Sequence, residues 1–355
     1  MIIVLLLLFD TCAKIGIFSD TAKEFMQKTR RDENSDYLRG SLWFSFIIFA
    51  ANYQEQLPIP QIIFTMAEQY ISSTQNPKIR QLLLLQQKAS ERRNTGRFVV
   101  EGRRELNHCI NAGYEVENLF VLEGTPLPTL QSSTLSQPSA SVQSTSHLQS
   151  KTPFQSATQV FIVSAHVYER IAYRGGTEGV TAIVKAREYT LADIGKQINN
   201  KNGQAPLLVI LESVEKPGNL GAVLRSADAA NADAVIICDP LTDLFNPNLI
   251  RASIGACFTV PVVACSSTDC IDFLRNNNIQ ILTAQLQDSK PYYDTNMCLP
   301  TAIVMGTEST GLTDIWRQAA DTHIRIPMLG KLDSLNVSVS AAILLFEAVR
   351  QRASV

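Results

Sequence analysis

The chain has 355 residues, 45% of them hydrophobic and 18% charged, with a net charge of −2. That length suits two or three domains with substantial cores, and the near-neutral balance excludes a protein held to a polyanion by its overall charge. The seven cysteines form no CxxC pair and the four histidines show no ligand spacing, so no metal site is expected and the cysteines read as reduced and buried, as in a cytoplasmic protein.

Two apolar runs, 2–9 and 41–51, stand near the start. Both are too short to span a bilayer, and no basic residue precedes the first, so neither a membrane anchor nor a signal peptide is expected. Residues 1–75 match no clear domain pattern. They read either as a helical extension packed on the body or as a start-site artefact, with initiation at Met66 or nearby.

Regular alternation begins at 76. The pattern predicts a Leu-rich helix over 79–87, a strand over 97–101 and a helix over 103–112 ended by Gly113. A second strand is predicted over 116–122. Residues 124–150 contain no Asp, Glu, Lys or Arg and are rich in Ser, Thr, Gln and Pro, which reads as a low-complexity insertion running to about 158. Strand 160–163, helix 165–172, a glycine-rich turn over 173–179 and strand 180–185 complete a small α/β domain over 76–190. Residues 191–204 read as a linker.

A second α/β pattern fills 205–355. The apolar run 207–211 has the character of a strand buried in a parallel sheet. Helix 220–230, strand 234–238, helix 248–255, strand 260–263, helix 268–276 and strands 280–283 and 302–305 follow, then helix 314–320. The last unit is a strand over 324–326 stopped by Pro327, a polar loop, and a helix. In that helix Val337, Ala341, Leu344, Leu345 and Ala348 recur at helical spacing, with Ser334 or Asn336 as its N-cap.

In open α/β sheets ligands bind in loops at the C-terminal ends of strands, and three such loops have distinctive composition. The first, 215–221, carries Gly218, Asn219 and Gly221 and leads into a helix bearing Arg225. The second, 305–312, places Glu308 between Gly306 and Gly311. The third runs from Ile326-Pro327-Met328 to Ser334-Leu335-Asn336. The pattern lacks the GxGxxG of a dinucleotide fold and any phosphate-binding GxxxxGK[ST] loop. Over 78–104, eight basic residues face two acidic ones, a local excess that suits either a phosphate-binding face or a solvated helix face.

These three motifs, in this order, resemble the SpoU (TrmH) family of RNA ribose methyltransferases of the SPOUT superfamily. The matching residues are Asn219-x-Gly221 with Arg225, Gly306-x-Glu308-x-x-Gly311, and Ile326-Pro327-Met328 with Ser334-Leu335-Asn336-Val337-Ser338. Upstream, 78–105 and 173–184 look like the family's RNA-binding domain. The extension 1–75 and the insertion have no recognised counterpart, and Ser309-Thr310 departs from the usual second motif.

The resemblance implies a parallel-sheet SPOUT domain with a deep trefoil knot, preceded by a small α/β RNA-binding domain. It implies S-adenosylmethionine as cofactor, with Thr283, Gly306, Ile326, Met328 and Leu335 around it. Arg225, Asn219, Glu308, Ser334 and Asn336 would serve methyl transfer to a ribose 2′-hydroxyl, without a metal. Lys88, Arg92, Arg93, Arg97 and Arg103 would contact RNA, ribosomal RNA being the expected substrate and a 23S-type guanosine a candidate. A homodimer through the C-terminal domain and a cytoplasmic location are also implied. A transfer-RNA methyltransferase and an inactive RNA-binding homologue remain open as alternatives.

Overall fold

The structure is a computed structural model that describes residues 70–128, 158–173, 178–201, 203–307, 310–331 and 334–353. Expectations for the chain before residue 70, for most of the insertion and for Glu308 lie outside the described residues. Residues 69–355 form one compact unit.

The small domain begins with β1 (Tyr70–Ile71), α1 (Pro77–Gln87), α2 (Ala89–Thr95), β2 (Arg97–Glu101) and α3 (Arg103–Asn111). It continues through β3 (Val116–Leu122), β4 (Gln159–Val163), α4 (Ala165–Ile171) and β5 (Val180–Lys185). Asn76 caps α1 by accepting from the Lys78 N–H, and Pro77 at the first helical position has no N–H to leave unsatisfied. The sheet order is β1-β4-β3-β5-β2. Its β3–β4 and β1–β4 pairs are parallel, whereas β5 runs antiparallel to β3 and β2. The sequence placed residues 70 and 71 in the extension. They instead supply the edge strand, because Ile71 is apolar enough to join the core under α1 and α4.

The expected linker is also corrected. Leu191–Asn199 is a helix, α5, started by a capping box in which Thr190 and Asp193 each accept the other's backbone N–H. Its Ile194 and Ile198 lie in the core of the second domain, so the segment is part of that domain's packing.

The second domain contains β6 (Leu207–Glu212), α6 (Pro217–Ala229), β7 (Ala234–Cys238), α7 (Pro247–Ser253), α8 (Ala256–Thr259) and β8 (Val262–Cys265). Then come α9 (Ser267–Asn276), β9 (Gln280–Ala284), β10 (Lys290–Pro291), β11 (Thr301–Met305), α10 (Asp314–Ala319), β12 (Thr322–Arg325) and α11 (Val337–Ala353). The seven strands are all parallel, in the order β10-β12-β9-β11-β6-β7-β8. All residues of β6, β7 and β11 are buried, as strands covered by helices on both faces must be. One face packs against α6 and α11, the other against α5, α9 and α10.

Aromatic packing joins the two domains. Phe98 of β2 stacks on Phe245 at 4.4 Å and on Phe258 of α8 at 5.9 Å, and Tyr114 meets Phe258 edge-on. Arg92 lies 5% exposed at this junction. Its guanidinium donates to the carbonyls of Leu85 and Gln86 and to the Asp243 carboxylate of the second domain. A cation so buried must be paired, and here it ties α1 and α2 to the larger domain. The expected role of Arg92 as a surface RNA contact is therefore corrected to a tie between domains.

Candidate active site at the C-terminal rim of the parallel sheet

The loops after β6, β11 and β12 open at one rim, because their parallel strands end on the same side. β6 starts the half that runs out through β7 and β8, while β11 lies between β6 and β9. This reversal of strand order makes the crevice at which ligands bind in open sheets.

The first and third loops touch directly. Asn219, in the first turn of α6, accepts a hydrogen bond at Oδ1 from Nδ2 of Asn336 at 3.1 Å. Asn336 is also the cap of α11. Its Oδ1 accepts from the N–H and hydroxyl of Ser338, and its carbonyl accepts from the N–H groups of Val339 and Ser340. Of the two expected caps, Asn336 takes the role and Ser334 stands exposed beside it. Arg225, further along α6, is exposed and makes no hydrogen bond or ion pair among the described residues.

Two of the motif glycines stand at close backbone approaches. A Cβ on Gly221 would lie 2.6 Å from Cβ of Ala252 and 2.7 Å from backbone atoms of α7. Gly221 lets α6 and α7 pack closely and does not open backbone to a ligand. A Cβ on Gly306 would lie 2.2 Å from the Gly311 carbonyl oxygen. The second loop thus folds back on itself: Gly311 donates its N–H to the Thr307 carbonyl at 3.1 Å with φ of +70°, a conformation suited to glycine. The Thr307 hydroxyl meets the Thr310 hydroxyl at 2.7 Å and the Thr310 N–H at 3.1 Å.

A residue the sequence reading overlooked anchors this loop. Glu212, the last residue of β6, is 3% exposed, and its carboxylate accepts from the N–H and hydroxyl of Thr313. A buried carboxylate needs such partners, and these fasten the end of the second loop to the strand that leads into the first. The signal was the acidic residue closing the otherwise apolar run 207–212.

Of the expected cofactor contacts, Ile326 and Met328 are half-buried and Leu335 is 37% exposed. These apolar side chains lie on the loop that follows β12, at the C-terminal ends of the strands, and partly exposed apolar groups of this kind fit a ligand with an apolar planar ring. Thr283 is fully buried in β9, and its hydroxyl lies 2.6 Å from Nδ1 of His323 on β12. Of the expected RNA contacts, Lys88 and Arg93 are exposed. Arg97 is paired with the Glu117 carboxylate, and the Arg103 guanidinium donates to the backbone carbonyls of Glu178 and Pro126, so protein acceptors hold both.

Comparison with known proteins agrees with this geometry. Residues 206–346 match the model of the SpoU rRNA Methylase family, and residues 76–182 that of an MRM3-like substrate binding domain. The 23S rRNA (guanosine-2′-O-)-methyltransferase RlmB of Haemophilus influenzae is 38% identical over 178 residues, 49% of this chain and 72% of the relative. The 23S rRNA (guanosine(2553)-2′-O)-methyltransferase RlmP of Bacillus subtilis is 25% identical over 276 residues, 78% of this chain and 97% of the relative. A crystal structure of an RNA 2′-O ribose methyltransferase aligns with a TM-score of 0.63 at 35% identity, covering 80% of this chain and 99% of that one. The AdoMet-bound rRNA methyltransferase of Sinorhizobium meliloti aligns with a TM-score of 0.66 at 25% identity, covering 79% and 97%.

Proposed function

This chain belongs to the SpoU rRNA methylase family, and on that premise we propose how it acts: it is an S-adenosylmethionine-dependent methyltransferase whose target is a ribose 2′-hydroxyl of ribosomal RNA. The observation that carries the reading is the Asn219–Asn336 hydrogen bond. It joins the first and third loops beside the helix that bears Arg225.

S-adenosylmethionine supplies an electrophilic methyl on a sulfonium, so the transfer itself requires no Lewis acid. Backbone groups of the loops after β11 and β12 would hold the cofactor, with Gly306, Ile326, Met328 and Leu335 around it, and Thr283 in β9 would support that wall. The ribose hydroxyl is a weak acid and must lose its proton as the methyl arrives. Arg225 serves by orienting a substrate phosphate that takes the proton, its planar guanidinium matching phosphate oxygens. Asn219, Ser334, Asn336 and Glu308 position the hydroxyl.

The small domain over 76–190 holds the RNA, with Lys88 and Arg93 on phosphates, while 205–355 carries the chemistry. The substrate is a guanosine of 23S-type RNA. Two further features follow from the family reading. In the sheet β11 lies inside β9 and β12 outside it, which suits a chain passing through its own loop in a trefoil knot. Val339 and Phe346, 47% and 48% exposed on α11, suit a homodimer surface. Among the described residues no helix is long and apolar enough to cross a membrane, and the site of action is the cytoplasm, with the ribosomal RNA.

The test is transfer of labelled methyl from S-adenosylmethionine to ribosomal RNA from cells lacking the activity. Label at a ribose is expected, reduced about 10²–10⁴-fold in Arg225→Ala, the range of a lost proton-transfer aid, with cofactor binding retained. Label on a base, or undiminished transfer by Arg225→Ala, would overturn the reading.

A further inference from the structure

Three cysteines that are scattered in sequence meet outside the active site. Cys238 is the last residue of β7 and Cys265 the last of β8, and the two are register partners in adjacent parallel strands. Directly paired residues project to the same face of a sheet. Cys270, in the first turns of α9, returns to that face. The three sulfur atoms all lie within 4.8 Å of one another.

We propose that Cys238, Cys265 and Cys270 form a site for one soft divalent metal ion of the zinc and cadmium class. Zinc–sulfur bonds of about 2.3 Å place the ligand sulfurs of a tetrahedral site roughly 3.8 Å apart, so closing this cluster on a metal needs only small side-chain adjustments. Thiolate sulfur selects thiophilic ions over hard ones such as magnesium. Cys238 and Cys270 are fully buried and Cys265 is half-buried, so a metal would reach the cluster from the Cys265 side.

The surroundings hold the ligand-bearing elements in place. The Ser267 hydroxyl donates to Asp239 at 2.6 Å and accepts from the indole N–H of Trp316 at 3.0 Å. Asp239 follows Cys238, and Ser267 opens the helix that carries Cys270. The first turn of α9 is thereby fixed against the end of β7. The cluster lies on the sheet face covered by α5, α9 and α10, while α6 with Arg225 covers the other face. The metal is therefore a structural staple between α9 and the β7–β8 edge, separate from methyl transfer. Metal binding to folded chain alone stabilises that chain by mass action.

The test uses the full chain, reduced, stripped with a chelator and titrated with cadmium under anaerobic conditions. One equivalent should bind, with a sulfur-to-cadmium charge-transfer band in the ultraviolet, displacement by zinc and a raised thermal midpoint. Cys265→Ser and Cys265→Ala change the half-buried member and leave the packing of α9 in place. Each should weaken binding by at least about tenfold, since losing a ligand costs no less than losing an outer partner of one. Cys298→Ser should bind as the parent does. No band at one equivalent, binding that survives both Cys265 variants, or a Cys238–Cys265 disulfide mapped in freshly prepared anaerobic protein would each overturn the proposal.

Discussion

Asn336 performs two tasks that can be separated by substitution. As the cap of α11 it satisfies N–H groups of the first turn, and through Nδ2 it reaches Asn219. Asn336→Ala loses both, and a lost cap costs about 1 kcal/mol, read as a fall in stability to urea. Asn219→Ala breaks the link between loops and leaves the α11 cap in place, so it should cost less stability than Asn336→Ala while methyl transfer falls. Equal destabilisation by the two variants would show that the link, and not the cap, carries the stability. Arg225 contrasts with both: it is exposed and unpaired among the described residues, so its removal should cost activity with little cost in fold.

At the scale of elements, the close crossing of α6 and α7 depends on a missing methyl. Ala252 and the backbone at Ser253 occupy the space a Cβ on Gly221 would need, and the backbone of α7 cannot yield as a flexible side chain would. Gly221→Ala should destabilise by about 1–3 kcal/mol, the usual range for overpacking, measured by denaturant unfolding. The helix that bears Arg225 would shift with it, so activity should fall as well. The same substitution at Gly218, with open space around its position, should be tolerated structurally. The contrast shows why glycine content alone misleads: Gly218 and Gly221 look alike in a loop motif, yet only one is packed against a neighbouring helix.

For the molecule as a whole, the basic segment 78–104 divides by tertiary partner. Arg92 is held by the domain junction, Arg97 by the Glu117 carboxylate and Arg103 by the carbonyls of Glu178 and Pro126, whereas Lys88 and Arg93 face outward. Joint reversal of Lys88 and Arg93 to Glu should weaken RNA binding and reduce its dependence on salt, each lost phosphate contact lowering the slope by about 0.7 to 0.9. The fold should be unaffected. Filter binding across a salt series checks this, and an unchanged slope would return both residues to the role of solvated surface charges. Reversal of Arg92 would report on folding instead, since it would bury an acidic group against Asp243 and two carbonyls.

The alternation of strands and helices, the buried character of β6, the apolar face of α11 and the order of the three loops were legible in the sequence, because each follows from local spacing and from motif residues close together in the chain. Other features depended on contacts between distant segments. The capping box of α5 was visible locally, but its polar surroundings masked a helix that only the core of the second domain retains. The pairing of Arg92 with Asp243, the anchoring of Thr313 by Glu212 and the contact of Gly221 with α7 are set by which elements lie side by side. The same holds for the three cysteines. Their spacing in the chain matches no ligand pattern, and parallel pairing of β7 with β8 brings two of them into register while α9 returns the third. Burial and periodicity are written residue by residue along the chain, whereas partnership is decided only when the sheet has set the strand order.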